Sequence, residues 1–166
     1  MKALVFEEKN QPLVYKEVET PQIGANEVLV QVKAAALNHR DVYITQGLYP
    51  GIRTPMILGS DGAGIVSQLG KNIDKSWEGK SVIINPSINW GDNPAVQGSG
   101  YHILGMPTNG TFAEYVKVDA QQLAKMPEHL SFEQAAALPL AGLTAYRALV
   151  TKTQPKAGER ALISGI

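Results

Sequence analysis

Asn38, His39, Arg40, Asp41, Tyr43 and Tyr49 fall within one short run of the chain, and no other stretch holds so many chemically capable side chains. An imidazole, a carboxylate and two phenols placed this close are the groups that ligate metals or move protons. A second polar turn follows, with Ser60 and Asp61 set between Gly59 and Gly62. The two stretches are expected to face each other as walls of a cleft. Plainer roles compete at each position. Asp41 more naturally fixes the local turn or pairs with Arg40 than acts as an acid or base, since a carboxylate beside an arginine is usually structural. His39 suits a solvent-exposed loop as well as a ligand, and Asp61 suits a structural hydrogen-bond acceptor. Tyr43 and Tyr49 read as cleft residues because of their polar company.

Composition limits what such a cleft can serve. The chain has 166 residues, 44% of them hydrophobic, and 15 acidic against 15 basic side chains. That length buries one substantial core with at most a small extra piece. Balanced charge without a basic block argues against nucleic acid and anionic membranes and in favour of small substrates or protein partners. Cysteine is absent, which removes disulfides, thiolate nucleophiles and cysteine-ligated metals. The first residues are too soon charged for a signal peptide and no apolar run reaches membrane-spanning length, so the expected location is cytoplasmic.

The elements that must position the polar run are mostly strands. Residues 3–6 form a short apolar run, 13–18 alternate, and 27–33 alternate again after the turn residues Pro21 and Gly24. The apolar stretch 28–37 delivers the chain to Asn38. One or two helical turns are expected over 41–46, ended by Gly47. Glycines among apolar residues at 58–66 mark a bulge or a close backbone approach, possible ground for a ligand, although turn geometry alone explains each one singly. Residues 81–84 read as a buried strand. The excursion 85–110 is rich in glycine, proline and asparagine; its Trp90, Tyr101 and His102 either line a cleft or pin the loop to the body. Alternation returns at 111–118, and the β-rich part closes near Pro127.

The period then changes. Ser131 and Gln134 have the spacing of a capping box, and Pro139 suits the first turn of a second helix, which gives helices over 132–138 and 140–150. Both are apolar on most sides, as if buried against something larger than one barrel wall. Residues 160–166 read as a strand leading into Gly165. A helix, a buried strand and a glycine open a nucleotide-binding βαβ unit, but one glycine is no fingerprint.

Taken together, Met1-Lys2-Ala3, Pro21, the run 28–32, Leu37-Asn38 with Asp41 and Tyr43, 47–50, Pro55 with Leu58-Gly59, 62–66, 110–115 and Leu138-Pro139 with 142–146 carry a resemblance over almost the whole chain. The sequence resembles the N-terminal catalytic domain of the medium-chain dehydrogenase/reductase superfamily, the GroES-like β-domain of alcohol dehydrogenases and quinone oxidoreductases. The resemblance implies a mainly β fold: a GroES-like, partly open β-barrel with short helices over 1–127. A helical segment and one strand of an incomplete Rossmann nucleotide-binding domain would follow over 128–166.

Zinc alcohol dehydrogenases of this family place a cysteine at the position of Asn38, a histidine at Ser60, often a glutamate at Asp61 and a cysteine near Leu140. This chain departs from that set, so no catalytic zinc is expected, and the excursion 85–110 looks like the structural zinc lobe without its metal. The resemblance points to the zinc-free branch, in which NADP or NAD, bound mainly by a domain beyond this stretch, gives hydride to a quinone, enone, enoyl thioester or carbonyl. It implies Asn38 and Tyr43 as catalytic candidates, His39, Tyr49 and Thr144 toward the cofactor, and Ser60 and Asp61 in the substrate cleft. A homodimer or higher oligomer is expected of the full-length enzyme. The chain alone is expected to be inactive, with the glycine-rich loop following Gly165 and the segment 160–166 either disordered or covered by another chain. The rival reading is a GroES-like binding or structural module without redox activity, or a relative of the zinc-type alcohol dehydrogenases.

Overall fold

The computed structural model describes residues 1–164. Alternating residues build its centre. In β3 (Glu27–Ala36), β5 (Asp61–Leu69), β6 (Ser81–Ile84) and β9 (Tyr115–Asp119), valine and isoleucine recur at inward positions and suit a pleated, half-buried surface, and β10 (Leu123–Lys125) adds Leu123. They form a five-stranded sheet in the order β10-β6-β5-β3-β9, with every neighbour pair antiparallel. Val28, Val30, Val66, Val82, Ile84, Val116 and Val118 bury one face together with Leu104. β1 (Lys2–Phe6) lies between β2 (Val14–Glu17) and β4 (Met56–Ile57) in a second sheet, and β7 (Ser87–Ile88) pairs with β8 (His102–Ile103) in a third. The sheets do not close on themselves, which gives the partly open barrel that the sequence suggests.

Several expected boundaries move. β3 runs on to Ala36, past the expected end at 33. The strand expected over 111–118 begins only at Tyr115, because Thr111 and Phe112 donate their N–H groups to Gly59 and Leu58 and are taken out of the ladder. Glycine earns its place at Gly59 and Gly110. Gly59 has φ +94°, and a Cβ on Gly110 would lie 1.9 Å from the Gly59 carbonyl oxygen. The close approach between Gly59 and Gly110 is backbone to backbone.

Helix α1 (His39–Thr45) joins β3 to β4 and buries Ile44 against Phe6, Leu58 and Met106. α2 (Phe132–Ala136) opens on the expected capping box, with Ser131 Oγ accepting from the Gln134 N–H and Gln134 Oε1 accepting from the Ser131 N–H. Its Ala135 and Ala136 pack on Ala63. α3 (Pro139–Tyr146) starts at Pro139 as expected and passes into a π-helical turn over Arg147–Thr153. Its burial is not what the apolar sequence suggests: Leu143 and Leu149 are exposed and Tyr146 is 63% exposed, because no described element covers that face. The expected strand over 160–166 is absent across Arg160 to Ser164, which are exposed and have no described sheet neighbour to supply ladder hydrogen bonds. Gly165 and Ile166 lie outside the described residues. No described helix is long and apolar enough to cross a membrane.

Candidate active site

The polar run is organised by the start of α1. Asn38 is extended at φ −125°, ψ 152°, and its N–H donates to Asp41 Oδ2 at 2.9 Å while the Asp41 N–H donates back to the Asn38 carbonyl at 2.9 Å. Asp41 thus fastens the turn, one of the two structural roles its sequence suggests, and makes no ion pair with Arg40 among the described contacts. Gly47, at φ +79°, lets the chain leave the helix.

With its backbone satisfied, Asn38 turns its side chain to the neighbouring strand. Its Nδ2 donates to Asp61 Oδ2 at 3.0 Å, and Asp61 Oδ1 accepts the N–H of Leu140 at 2.9 Å. Asp61 is 1% exposed and Ser60 is 0% exposed. Arg40 reaches the same place from α1: its Nη1 donates to Ser60 Oγ at 2.5 Å and to the Leu104 carbonyl at 2.9 Å, and Ser60 Oγ donates to that carbonyl as well. The guanidinium lies 4.9 Å from the centre of the Tyr49 ring, with Nη2 at 3.4 Å from the phenol oxygen.

Burial raises the Asp61 carboxyl above its ordinary pKa; the Asn38 and Leu140 donors oppose the shift, the Asp41 charge adds to it and Arg40 opposes it. Burial raises Asp41 too, against the N–H of Asn38, the charge of Arg40 and the N–H of Gly59. Asp41 Oδ1 and Arg40 Nε have no hydrogen-bond partner.

The expected residues therefore separate into groups. Asn38, Ser60 and Asp61 converge, and Leu140 joins them through its backbone. His39 and Tyr43 lie on the exposed side of α1, their rings stacked with centres 6.5 Å apart, and Tyr43 is 50% exposed. Tyr49 is partly buried beneath Arg40 and packs on the cluster around Ile44. Thr144 is exposed on α3 and lines a groove of about 370 Å³ with Leu140, Leu143, Arg147, Trp90 and Tyr101. Leu140 belongs to both places, with its N–H on Asp61 and its body on the groove. A larger, mostly apolar cavity of about 590 Å³ near Val5, Ile57 and Val116 contains none of these expected site residues.

Two residues that shape the site have no site role among those expected from the sequence. Arg40 was available from helical spacing, because it sits four residues before the fully buried Ile44 and so shares its inward face. Arg147 carried no such signal; its partners, Pro94, Ala95 and Trp90, are distant in sequence. Among the described residues, no three histidine, aspartate or glutamate side chains gather as a metal site would require.

Comparison with known proteins places this geometry. The family described as the alcohol dehydrogenase GroES-like domain matches residues 24–128. A zinc-type alcohol dehydrogenase-like protein, YogA of Leptosphaeria maculans, is 40% identical across 93% of this chain and 46% of its own length. The crystal structure of an NAD-dependent alcohol dehydrogenase superposes with a TM-score of 0.89 at 38% identity, covering 95% of this chain and 49% of that one. The quinone oxidoreductase from Coxiella burnetii gives 0.78 at 30% identity, covering 95% and 46% respectively. The chain spans about half the length of the relatives it matches. By its matched residues and its fold, this chain belongs to the alcohol dehydrogenase GroES-like domain family of the medium-chain dehydrogenase/reductase superfamily.

Proposed function

We propose that the chain forms the substrate-holding half of a cytoplasmic, NADPH- or NADH-dependent oxidoreductase that reduces a quinone, an enone or enoyl thioester, or a carbonyl by hydride transfer without zinc. The observation that carries this reading is the use made of Asp61. It is the one anion among the positions where the family's zinc ligands would stand, and both its oxygens are taken by Asn38 Nδ2 and the Leu140 N–H. Zinc needs several donors with free lone pairs. Here Asn38 presents hydrogens, Leu140 offers a backbone N–H, and Ser60 Oγ already accepts from the cationic Arg40. The donor set does not fit the metal.

The same geometry supplies an alternative way to meet charge. A carboxylate can only accept, so Asp61 holds the amide group of Asn38 with its NH₂ inward, and that group has a second hydrogen to give. A preorganised donor of this kind stabilises an oxygen on which negative charge develops. Tyr43, exposed one helical turn further on, is the second donor in this proposal. The nicotinamide cofactor, when bound, supplies the hydride; His39, Tyr49 and Thr144 are the residues of this chain assigned to it, with Ser60 and Asp61 at the base of the substrate cleft. The full-length enzyme is proposed to be a homodimer or higher oligomer acting on a small molecule, which light scattering checks.

The test is turnover of quinones, enones, acyl thioesters and aldehydes by the full-length protein with NADPH or NADH, together with elemental analysis. Reduction of at least one class, undiminished by chelators and without bound zinc, is expected. Stoichiometric zinc overturns the metal-free assignment, and absence of turnover with either cofactor overturns the reductase.

A further inference from the structure

Above the groove, the excursion between β6 and β9 is fastened by cations. Arg147 Nη1 donates to the Pro94 carbonyl at 2.9 Å and its Nη2 to the Ala95 carbonyl at 3.1 Å, while Lys152 Nζ donates to Ala95 as well, at 2.7 Å. The Arg147 guanidinium also lies 4.2 Å from the centre of the Trp90 ring. Trp90 is tied into the same loop: its Nε1 donates to the Asn93 carbonyl at 3.1 Å, its carbonyl accepts the Gly98 N–H at 2.7 Å, and its ring meets Tyr101 edge to face at 5.0 Å and 75°. Trp90, Tyr101 and Arg147 all line the groove. One planar, five-donor side chain therefore holds the loop backbone and an aromatic wall of the groove together, a geometry that a lysine at 147 does not reproduce.

We infer that Arg147 is a specificity-determining residue: by clamping residues 94–95 and stacking on Trp90, it fixes the groove wall and limits the hydride acceptor to compact apolar molecules. The inference rests on the proposed function and extends it: the acceptor is taken to lie in this groove, which Leu140 joins to Asp61 and which Thr144, assigned to the nicotinamide, borders. The volume of about 370 Å³ lies at the small end of the roughly 300–1,000 Å³ of ligand pockets. Ile103, Leu140 and Leu143 leave it apolar between the aromatic residues and the polar edge at Ser87 and Thr144. Every clamp bond is solvent-exposed, so its loss moves the wall without removing core.

The test uses the full-length protein and a series of straight-chain enones of increasing length, comparing wild type with Arg147→Ala and Arg147→Lys. Both variants are expected to raise kcat/KM for the longest acceptor relative to the shortest by about tenfold, the scale on which apolar pockets discriminate single methylenes. In parallel, acrylamide quenching is measured in a background where Trp77, this chain's other tryptophan, and every tryptophan of the rest of the full-length protein are replaced by Phe, so that Trp90 is the fluorophore read. Arg147→Ala is expected to raise the quenching constant about twofold, since it uncovers one face of the ring. An unchanged length ratio in active variants overturns the inference while the reductase stands, and unchanged quenching overturns the clamp whatever the activity. A wild-type protein that reduces no enone of the series while turning over a quinone, acyl thioester or aldehyde overturns the specificity role alone, and one that reduces none of the four classes overturns the proposed function with it.

Discussion

Arg40 and Arg147 make nearly the same contacts. Each donates to backbone carbonyl oxygen and each lies against an aromatic ring, Tyr49 at 4.9 Å and Trp90 at 4.2 Å. Arg40 is 8% exposed and sits among Ser60, Leu104 and two buried carboxyls, whereas Arg147 binds at the surface of an irregular loop. The same hydrogen bonds differ in worth because of what replaces them on removal. Water serves the partners of Arg147, while the partners of Arg40 are left dry. One arginine therefore holds the site's foundation and the other its adjustable rim.

The comparison breaks first at the packing under Arg40. Ile44→Ala empties the fully buried position between Phe6, Leu58 and Met106, and is expected to cost about 2–5 kcal/mol of stability, read as a lower urea midpoint. Arg40→Met comes next. It leaves the Leu104 carbonyl with Ser60 as its remaining side-chain donor and takes the cation from beside Asp41 and Asp61, for an expected loss of about 1–3 kcal/mol in the same measurement. Arg147→Ala removes two hydrogen bonds and a ring contact, against three and a ring contact at Arg40, and is expected to cost less than about 1 kcal/mol. A loss equal to that of Arg40→Met would erase the distinction.

The carboxyls sharpen the contrast through pH. Asp61 and Asp41 are both raised by burial, so the folded state keeps their protons to higher pH than the unfolded chain does. Their contribution to stability is complete below about pH 4, near the unfolded value, and is lost as pH rises through the folded values. Thermal midpoints recorded upward from that pH are expected to fall for wild type and to fall less for Asp61→Asn. Ser131→Ala, which removes the α2 cap, is expected to cost about 1 kcal/mol in thermal melts, leaving the Arg40 cluster unaltered.

Much of this was legible in the residues, for reasons that differ by element. β6 and the capping box of α2 declare themselves locally, by a short β-branched apolar run and by a three-residue spacing. Gly47 stops α1 because its φ is positive, as a helix-ending glycine commonly is. β7 and β8 are too short to show a period, with two residues each, and depend wholly on tertiary pairing. The apolar pattern of 160–164 states a preference for a sheet, yet a strand forms only beside a neighbour. At the site, Asn38, Ser60 and Asp61 could be grouped by resemblance, but the bonds among them could not: residue types do not say that both oxygens of Asp61 are engaged. The Arg147 clamp joins positions more than fifty residues apart, and no local rule reaches that far.

The double grip of Asp61 also has a mechanical side. One carboxylate ties the amide of Asn38, at the foot of β3, to the first turn of α3. Sliding α3 along the sheet by the length of one hydrogen bond stretches both attachments, and the softer must yield. If Leu140 releases first, the carboxylate recoils toward Asn38; if the amide releases first, it swings free with both hydrogens unclaimed. The helix that borders the groove is thereby tied to the amide beneath it, so that a displacement of one strains the attachment of the other.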